Sequence, residues 1–123
     1  LLGDGECHEG SIWEAANIAR NQNLNNLVAI VDWNQSAMQL MPFDDMPAKW
    51  ASFGWQVKVI DGHSALELQA AFAPELLNTL TTPYVVIAKN TKGNGVPLVE
   101  GHGSWHHKIP NDAEYEVIRK ALS

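Results

Sequence analysis

The 123-residue sequence predicts an α/β domain built on a mostly parallel sheet with helices on both faces. Two observations lead to this class. Strand-length apolar runs alternate along the chain with segments of helical periodicity. In addition, the runs at 25–34 and 83–89 are apolar without alternation, which is typical of strands covered on both faces. With 46% hydrophobic residues, the chain can bury the core of one domain.

The first half of the chain contains two predicted strands and two predicted helices. The opening LLGDG resembles the last residues of a strand, and SIWEAANIARNQ at 11–22 places small apolar residues at helical spacing. The run NNLVAIVDWN at 25–34 predicts the next strand. MPAKWASFGW at 46–55 then predicts a short helix that ends near Gly54.

The second half continues the alternation. QVKVID at 56–61 and PYVVIAK at 83–89 predict strands on either side of a helix over 64–80, with Ser64 as its N-cap. The segment 90–110 is rich in Gly, Pro and His without periodicity, which indicates a long loop of functional interest. The final NDAEYEVIRKALS predicts an amphipathic helix with an Asn-Asp cap.

Composition excludes several classes of function. The net charge is −6 and no Lys/Arg cluster exceeds the pair at 119–120, so nucleic acid is not expected as a partner. No apolar run is long enough for a membrane span and no signal peptide is visible, so we expect a cytoplasmic protein. The single cysteine, Cys7, excludes an internal disulfide and is expected to be a packing residue.

A Gly-Asp-Gly stretch at 3–5 ends the first predicted strand, and Asn34 ends the second. A simple tight turn is the competing interpretation of this stretch. Because ligands of parallel sheets bind at the carboxyl ends of strands, we expect Asp4 and Asn34 to lie close together. Their oxygens, with a loop carbonyl, suit Mg²⁺ or Ca²⁺, and the N-terminus of the following helix suits a phosphate. The pattern therefore predicts a metal-bridged diphosphate.

The histidines of the long loop allow a competing hypothesis, a zinc site. Its ligands would be His102, His106 and His107, with Cys7 as a distant fourth. Structural zinc sites usually combine two clusters of Cys or His at short spacing, and this sequence has one. The diphosphate interpretation is favoured for that reason. His63, in DGHS, is interpreted as a turn histidine beside a helix cap.

The stretch GDGECHEGSIWEAANIARNQNLNNLVAIVDWN resembles the thiamine diphosphate motif, in which Gly-Asp-Gly is closed further along by Asn. KWASFGWQVKVIDGHS, TKGNGVP and WHHKIPNDAEYE resemble transketolases in the same order, most closely the separate N-terminal subunit of split bacterial enzymes. The resemblance covers nearly the whole chain. It implies that residues 1–123 are the C-terminal part of a thiamine diphosphate domain that begins upstream.

The resemblance also implies roles for individual residues. Asp4 and Asn34 would be side-chain ligands of Mg²⁺, and Ser36 would supply a carbonyl ligand. The other residues with implied roles are Gly5 for the diphosphate, Met38 against the thiazolium ring, Glu9 and Glu14 in the network toward the partner's activating glutamate, and His106 near the diphosphate and donor sugar.

The implied activity is thiamine diphosphate- and Mg²⁺-dependent ketol transfer from a ketose phosphate to an aldose phosphate, a reaction of the pentose phosphate pathway and carbohydrate metabolism. The implied partners are sugar phosphates, a second copy in a homodimer, and a pyrimidine-binding C-terminal transketolase section or subunit. The chain alone is expected to be inactive. A face formed by Ile12, Ala15, Ala16 and Ala19 is expected to let two helices approach closely in the dimer.

Two alternatives stay open. Other thiamine diphosphate enzymes, such as a deoxyxylulose-phosphate synthase or a 2-oxo acid dehydrogenase subunit, share the metal motif, although WHHKIP favours transketolase. A noncatalytic assembly module of the same fold could lack the cofactor, but the joint presence of Asp4, Asn34 and Glu9 favours an enzyme.

The sequence departs from the family pattern in two places. NQSAMQLMPFDDMP lacks the usual Asp-Gly of the loop after Asn34, so the loop path and the sugar specificity do not follow from the resemblance. His107 stands where the family has Gly, and it adds bulk and a titratable ring beside His106.

Overall fold

Four parallel strands form the centre of the computed structural model, which describes residues 1–39, 41–43, 45–101 and 103–123. They are β1 (Leu2–Gly3), β2 (Val28–Trp33), β3 (Gln56–Asp61) and β4 (Tyr84–Lys89), and their order across the sheet is β1-β2-β4-β3. The predicted parallel α/β class is confirmed. The predicted strands at 25–34, 56–61 and 83–89 are β2, β3 and β4, and the opening LLGDG contains β1.

In the described part of the chain, five helices connect and flank the strands. They are α1 (Gly10–Asn21), α2 (Met46–Ser52), α3 (Ala65–Ala71), α4 (Pro74–Leu77) and α5 (Asp112–Ala121), with 3₁₀ turns at Glu6–His8, Ser36–Gln39 and Ser104–His106. Among the described helices, none is long and apolar enough to cross a membrane.

The core lies on both faces of the sheet, as the unalternating strands predict. Strand β4 is central, and its Val85 and Ile87 pack with Ala16 and Trp50 of α1 and α2 on one face. The alternate residues of β4 pack on the other face with α3 and α4. This division follows from the two-residue period of a strand.

The predicted N-caps of two helices are confirmed. The Ser64 hydroxyl accepts a hydrogen bond from Glu67 N at the start of α3, over 3.3 Å. Asn111 begins α5 in a capping box, in which its side chain accepts from Glu114 N and Glu114 accepts from Asn111 N. The predicted helix before Gly54 is α2, and Gly54 follows it at φ +78°, a conformation that favours glycine.

The predicted single helix over 64–80 is wrong, because the segment forms α3 and α4 separately. The break lies at Pro74, which begins α4. Proline has no N–H to donate to the preceding turn, and its ring crowds the carbonyl four residues earlier, so a helix can begin there and not pass through.

The predicted use of the small-residue face of α1 is also wrong. Ala16 and Ala19 are buried inside this chain's own core, where Trp55 Nε1 donates to the Ala16 carbonyl over 2.9 Å. Ile12 packs against the same cluster, and only Ala15 is exposed. The small side chains therefore admit tryptophan rings and do not form a surface for a second copy.

We expect Cys7 to react slowly in the folded chain. Its side chain is fully buried, and burial, followed by the nearby Glu6 and Asp4 carboxylates, raises the pKa of the thiol from 9.0 to about 11, against a lowering by Lys49. At pH 8 the thiolate fraction should be about 100-fold below that of a free cysteine, and burial should slow alkylation further.

The measurement is the iodoacetamide alkylation rate with and without guanidinium. Between pH 9.0 and about 11 the folded thiol keeps its proton, whereas the unfolded thiol loses it. The contribution of Cys7 to the free energy of unfolding should therefore be lost as pH rises through that window. Equal alkylation rates in native and denatured protein would contradict the buried position.

Candidate functional site

The pairing of β1 with β2 brings the two predicted ligand residues to one edge of the sheet. Gly3 of β1 lies opposite Asp32 of β2 in a parallel pair, and Asp4 N donates to the Asp32 carbonyl over 3.1 Å. Asn34 comes directly after β2. The prediction that Asp4 and Asn34 lie at adjacent strand ends is therefore confirmed, and these are the carboxyl ends, where parallel sheets bind ligands.

A cleft of about 610 Å³ opens at this edge, a volume suited to a small molecule. Six residues with predicted roles line it: Asp4, Gly5, Glu9, Asn34, Ser36 and His106. The other described lining residues are Gly3, Glu6, Ala37, Lys92, Gly103 and His107. The fold thus assembles one cleft from three distant segments of the chain.

Asp4 is a buried carboxylate that lacks a full set of partners. Its side chain is 3% exposed, and Oδ1 accepts from Gly5 N over 2.8 Å. Its other oxygen, Oδ2, is buried and has no hydrogen-bond partner among the described residues, and neither has the buried Ser36 hydroxyl. Burying an unpartnered charged oxygen is costly, so Asp4 Oδ2 is placed where a bound cation would satisfy it.

Asn34 is held with its amide oxygen and nitrogen in defined positions. Its Oδ1 accepts from Ser36 N over 2.9 Å, and its Nδ2 donates to Asp32 Oδ2 over 3.1 Å. An amide oxygen can accept a second interaction, so Asn34 Oδ1 retains the capacity to ligate an ion.

After Asp4, fewer backbone N–H groups are free to bind a phosphate than the sequence predicted. Gly5 lies at the cleft, but its N–H is directed to Asp4 Oδ1, so a contact with a diphosphate stays a prediction. A 3₁₀ turn at Glu6–His8 precedes α1, and the N-cap of α1 is Glu9 without a side-chain cap bond. Because Glu9 lines the cleft, the start of α1 lies there, as predicted. The predicted role of Glu9 in a network toward a partner stays a prediction.

Two residues with predicted roles lie away from the described lining of the cleft. Glu14 is exposed on α1, and its predicted network to a partner stays untested. Met38 is half-buried in the 3₁₀ turn Ser36–Gln39, and its sulfur accepts a hydrogen bond from Phe43 N over 3.2 Å. Its predicted contact with a thiazolium ring likewise stays a prediction.

The described lining of the cleft also contains Lys92, His106 and His107. His106 lies in the 3₁₀ turn Ser104–His106, and its Nδ1 is 3.4 Å from Lys92 Nζ. The His107 ring packs edge-on against His106 with centroids 4.5 Å apart. The lining of the cleft thus combines the carboxylates of Asp4, Glu6 and Glu9 with the Lys92 ammonium and two imidazoles, a set of groups that can hold an anion together with a cation.

The zinc hypothesis gains no support from the described part of the chain. Within it, no group of three or more His, Cys, Asp or Glu is arranged to hold a metal ion. His106 and His107 meet, Cys7 is buried in the core, and His102 lies outside the described residues. His63 serves its predicted turn, where its N–H donates to Asp61 Oδ1 over 2.9 Å and its Nε2 accepts from Thr91 N over 2.8 Å.

Sequence reasoning missed three residues at this edge: Asp32, Asn90 and Lys92. Asp32 Oδ1 accepts from Asn90 Nδ2 over 2.7 Å, and its Oδ2 accepts from Asn34 Nδ2. Asn90 and Lys92 follow β4, which lies next to β2 in the sheet. Asn90 is a polar residue directly after a buried strand, which is a signal for this edge, whereas the positions of Asp32 and Lys92 depend on the order of the strands and on the path of the loop.

These features define an α/β domain with a cleft at the carboxyl edge of a parallel sheet, lined by carboxylate and amide oxygens and by Lys92. The chain belongs to the family described as the transketolase thiamine diphosphate binding domain, whose model matches residues 1–123. The resemblance noted in the sequence is confirmed. The hard oxygen donors of Asp4 and Asn34 are of the kind that a divalent cation takes as ligands.

Individual relatives give the same picture. The chain is 37% identical to a subunit of the apulose-4-phosphate transketolase of Phocaeicola vulgatus over 100% of its own length and 45% of the relative's. It is 39% identical to the transketolase of Homo sapiens, of which it covers 20%. The crystal structure of Campylobacter jejuni transketolase matches with a TM-score of 0.83 at 32% identity, covering 98% of this chain and 19% of that one. The chain thus spans less than half the length of these relatives.

Proposed function

We propose that this chain holds the diphosphate of thiamine diphosphate through Mg²⁺ or Ca²⁺ in an enzyme of ketol transfer. The single observation that carries the proposal is the buried Asp4 Oδ2, which has no partner among the described residues and belongs to a side chain lining the cleft beside Asn34. Family membership supports thiamine diphosphate as the cofactor. The expectation that residues 1–123 are the C-terminal part of a larger diphosphate-binding domain stays a prediction.

Each residue of the cleft has a proposed task. Asp4 Oδ2, Asn34 Oδ1 and the Ser36 carbonyl would ligate the cation, and the diphosphate would complete its coordination. Lys92, which also lines the cleft, would neutralise charge on the diphosphate. The start of α1 at Glu9 would add the positive end of a helix dipole.

The proposed reaction separates the work of the cofactor from that of the chain. Bound thiamine diphosphate would supply the carbon nucleophile for breaking and making the carbon–carbon bond. His106 would contact the donor sugar phosphate, with Lys92 3.4 Å from its Nδ1 to fix the ring. Glu9 and Glu14 would take part in the network toward the partner's glutamate, and Met38 would contact the thiazolium ring after a local rearrangement.

The proposed assembly includes other chains. Two of the relatives are named as one subunit of an apulose-4-phosphate transketolase, which implies a second subunit in those enzymes. We propose that a pyrimidine-binding section or subunit likewise completes the site of this chain. We further propose sugar phosphates as substrates, a homodimer that uses a surface other than the buried face of α1, and a cytoplasmic location. The buried, unpaired Cys7 is compatible with a reducing compartment.

In the complete protein with its partner, Asp4→Ala should abolish thiamine diphosphate binding measured by calorimetry in Mg²⁺. The variant removes the only charged protein ligand proposed for the ion. The loss of affinity should therefore exceed the roughly 10–100-fold that is typical when a residue that contacts a metal ligand, but not the metal, is changed. Asp112→Ala, which removes the same charge from the exposed start of α5, is the matched control.

Three outcomes of that experiment would redirect the proposal. Full ketol-transfer activity in the Asp4→Ala protein would exclude Asp4 as the metal ligand. Cofactor binding by the unmodified protein with no activity on any ketose phosphate would favour another thiamine diphosphate enzyme. Failure of the unmodified, partnered protein to bind the cofactor would favour a noncatalytic assembly module.

His106→Ala should act on turnover more than on cofactor affinity. A histidine that contacts the reacting sugar should contribute about 100-fold or more to the rate of ketol transfer, whereas cofactor affinity should fall less than about tenfold. The measurement compares steady-state ketol transfer with calorimetric cofactor affinity, and Ser104→Ala in the same turn is the control. Equal losses in both quantities would assign His106 to the diphosphate alone.

A further inference from the structure

Asp32 connects the ends of β1, β2 and β4 through its carboxylate and its backbone carbonyl, and it lines a second cavity beside the cleft together with Asn34 and Asn90. Its Oδ2 accepts from Asn34 Nδ2 over 3.1 Å, and its Oδ1 accepts from Asn90 Nδ2 over 2.7 Å. Its backbone carbonyl accepts from Asp4 N over 3.1 Å. One residue therefore contacts both residues whose side chains are proposed to ligate the cation, Asp4 and Asn34.

These contacts select one orientation of the Asn34 amide. A carboxylate only accepts hydrogen bonds, so Asp32 requires Asn34 to present its Nδ2. On the other side the Ser36 N–H only donates, so it requires Oδ1. Rotating the amide by half a turn would place oxygen against oxygen and N–H against N–H. Only the observed orientation presents an oxygen for an ion, because an amide NH₂ cannot ligate one.

The carboxylate that selects this orientation is itself held in place. Asn90 follows β4, and its N–H donates to the Trp33 carbonyl over 3.2 Å while its side chain reaches Asp32. The Asn90 side chain fits only because residue 62 is glycine: a Cβ at Gly62 would lie 1.6 Å from Asn90 Oδ1. Residues at the ends of β2, β3 and β4 thus act together to fix the orientation of the Asn34 amide.

We propose that Asp32 is a positioning residue for the cation: held by Asn90 in the space left by Gly62, it keeps Asn34 Oδ1 turned toward the metal. This inference rests on the proposed function, since it presupposes that Asn34 is a ligand. It assigns Asp32 no contact with the ion, the cofactor or the substrate. If Asp32 has this role, the affinity for the metal depends on the Asp32 carboxylate although that carboxylate does not contact the metal.

The test is a double-mutant cycle on Mn²⁺ affinity, read by electron paramagnetic resonance in the complete, partnered protein with thiamine diphosphate present. Asp32→Asn replaces one accepting oxygen by NH₂, so that either Asn34 or Asn90 must face a donor. It should weaken Mn²⁺ binding by about 10–100-fold, the range for residues behind metal ligands. Asp61→Asn, which removes a carboxylate charge at the end of β3, is the matched control and should have little effect.

The second arm repeats Asp32→Asn in an Asn34→Asp background. A carboxylate at position 34 has two equivalent oxygens, so no orientation remains to be selected, and the amide introduced at position 32 can donate to one of them. In Asn34→Asp alone the two carboxylates face each other without a donor, so Asp32→Asn should then leave Mn²⁺ affinity unchanged or raise it, which makes the two substitutions strongly non-additive. If Asp32 acted only through its charge, the loss would be the same in both backgrounds, and that result would overturn the proposal.

The cycle also separates this proposal from the proposed function. Unchanged Mn²⁺ affinity in Asp4→Ala would remove the metal site and this inference with it. A large loss in Asp4→Ala with no loss in Asp32→Asn would overturn the positioning role alone. If Asp32→Asn does not fold by circular dichroism, Asn90→Ala takes its place in the same cycle, with a smaller loss expected when position 34 is unchanged and none in the Asn34→Asp background.

Discussion

The hydrogen bond from Asp4 N to the Asp32 carbonyl, 3.1 Å long, extends the pairing of β1 with β2 beyond the last residue of β1. The cleft depends on this register. Side chains on a strand alternate between the two faces, so a slip of one residue would turn Asp4 away from Asn34. With the register fixed, a carboxylate and an amide that are distant in sequence leave the same edge of the sheet.

The same arrangement places function and stability in opposition. Asp4 is buried with one carboxylate oxygen unpartnered among the described residues, which costs stability in the absence of a ligand. The surrounding apolar core is well packed. Strand β4 is buried from Tyr84 to Ala88, and the tryptophans of α2 and of the turn after it pack against the small residues of α1. A well-packed apolar support thus carries a polar edge at which Asp4 Oδ2 lacks a partner among the described residues.

Much of the fold could be predicted from the sequence because local signals agreed with the final structure. The continuous apolar run that forms β4 indicated a buried strand, and the Asn-Asp pair at 111–112 indicated the start of α5. The helix over 64–80 was mispredicted because its apolar periodicity was given more weight than Pro74, which stops a helix from passing through. The face of α1 was misassigned because a stripe of small residues looks the same whether it admits a tryptophan or another helix.

The site was predictable only as far as strand ends could be located. Asp4 and Asn34 could be paired because one helix joins their strands, which makes the two strand ends neighbours in space. The contact of Asp32 with Asn90 spans 58 residues and depends on β4 lying between β2 and β3, an order that no local pattern encodes. Lys92 was missed for the same reason, since its position at the cleft depends on where β4 ends and on how the loop folds back.

The most direct test of the central claim, that Asp4 and Asn34 share one cation, is a crystal structure of the complete, partnered protein with Mn²⁺ and thiamine diphosphate, measured at a wavelength where manganese scatters anomalously. We expect one anomalous peak about 2.1 Å from Asp4 Oδ2, Asn34 Oδ1 and the Ser36 carbonyl oxygen, close to the distance that Mg²⁺ would take. A bound diphosphate with no peak there, or a peak held by other residues, would contradict it.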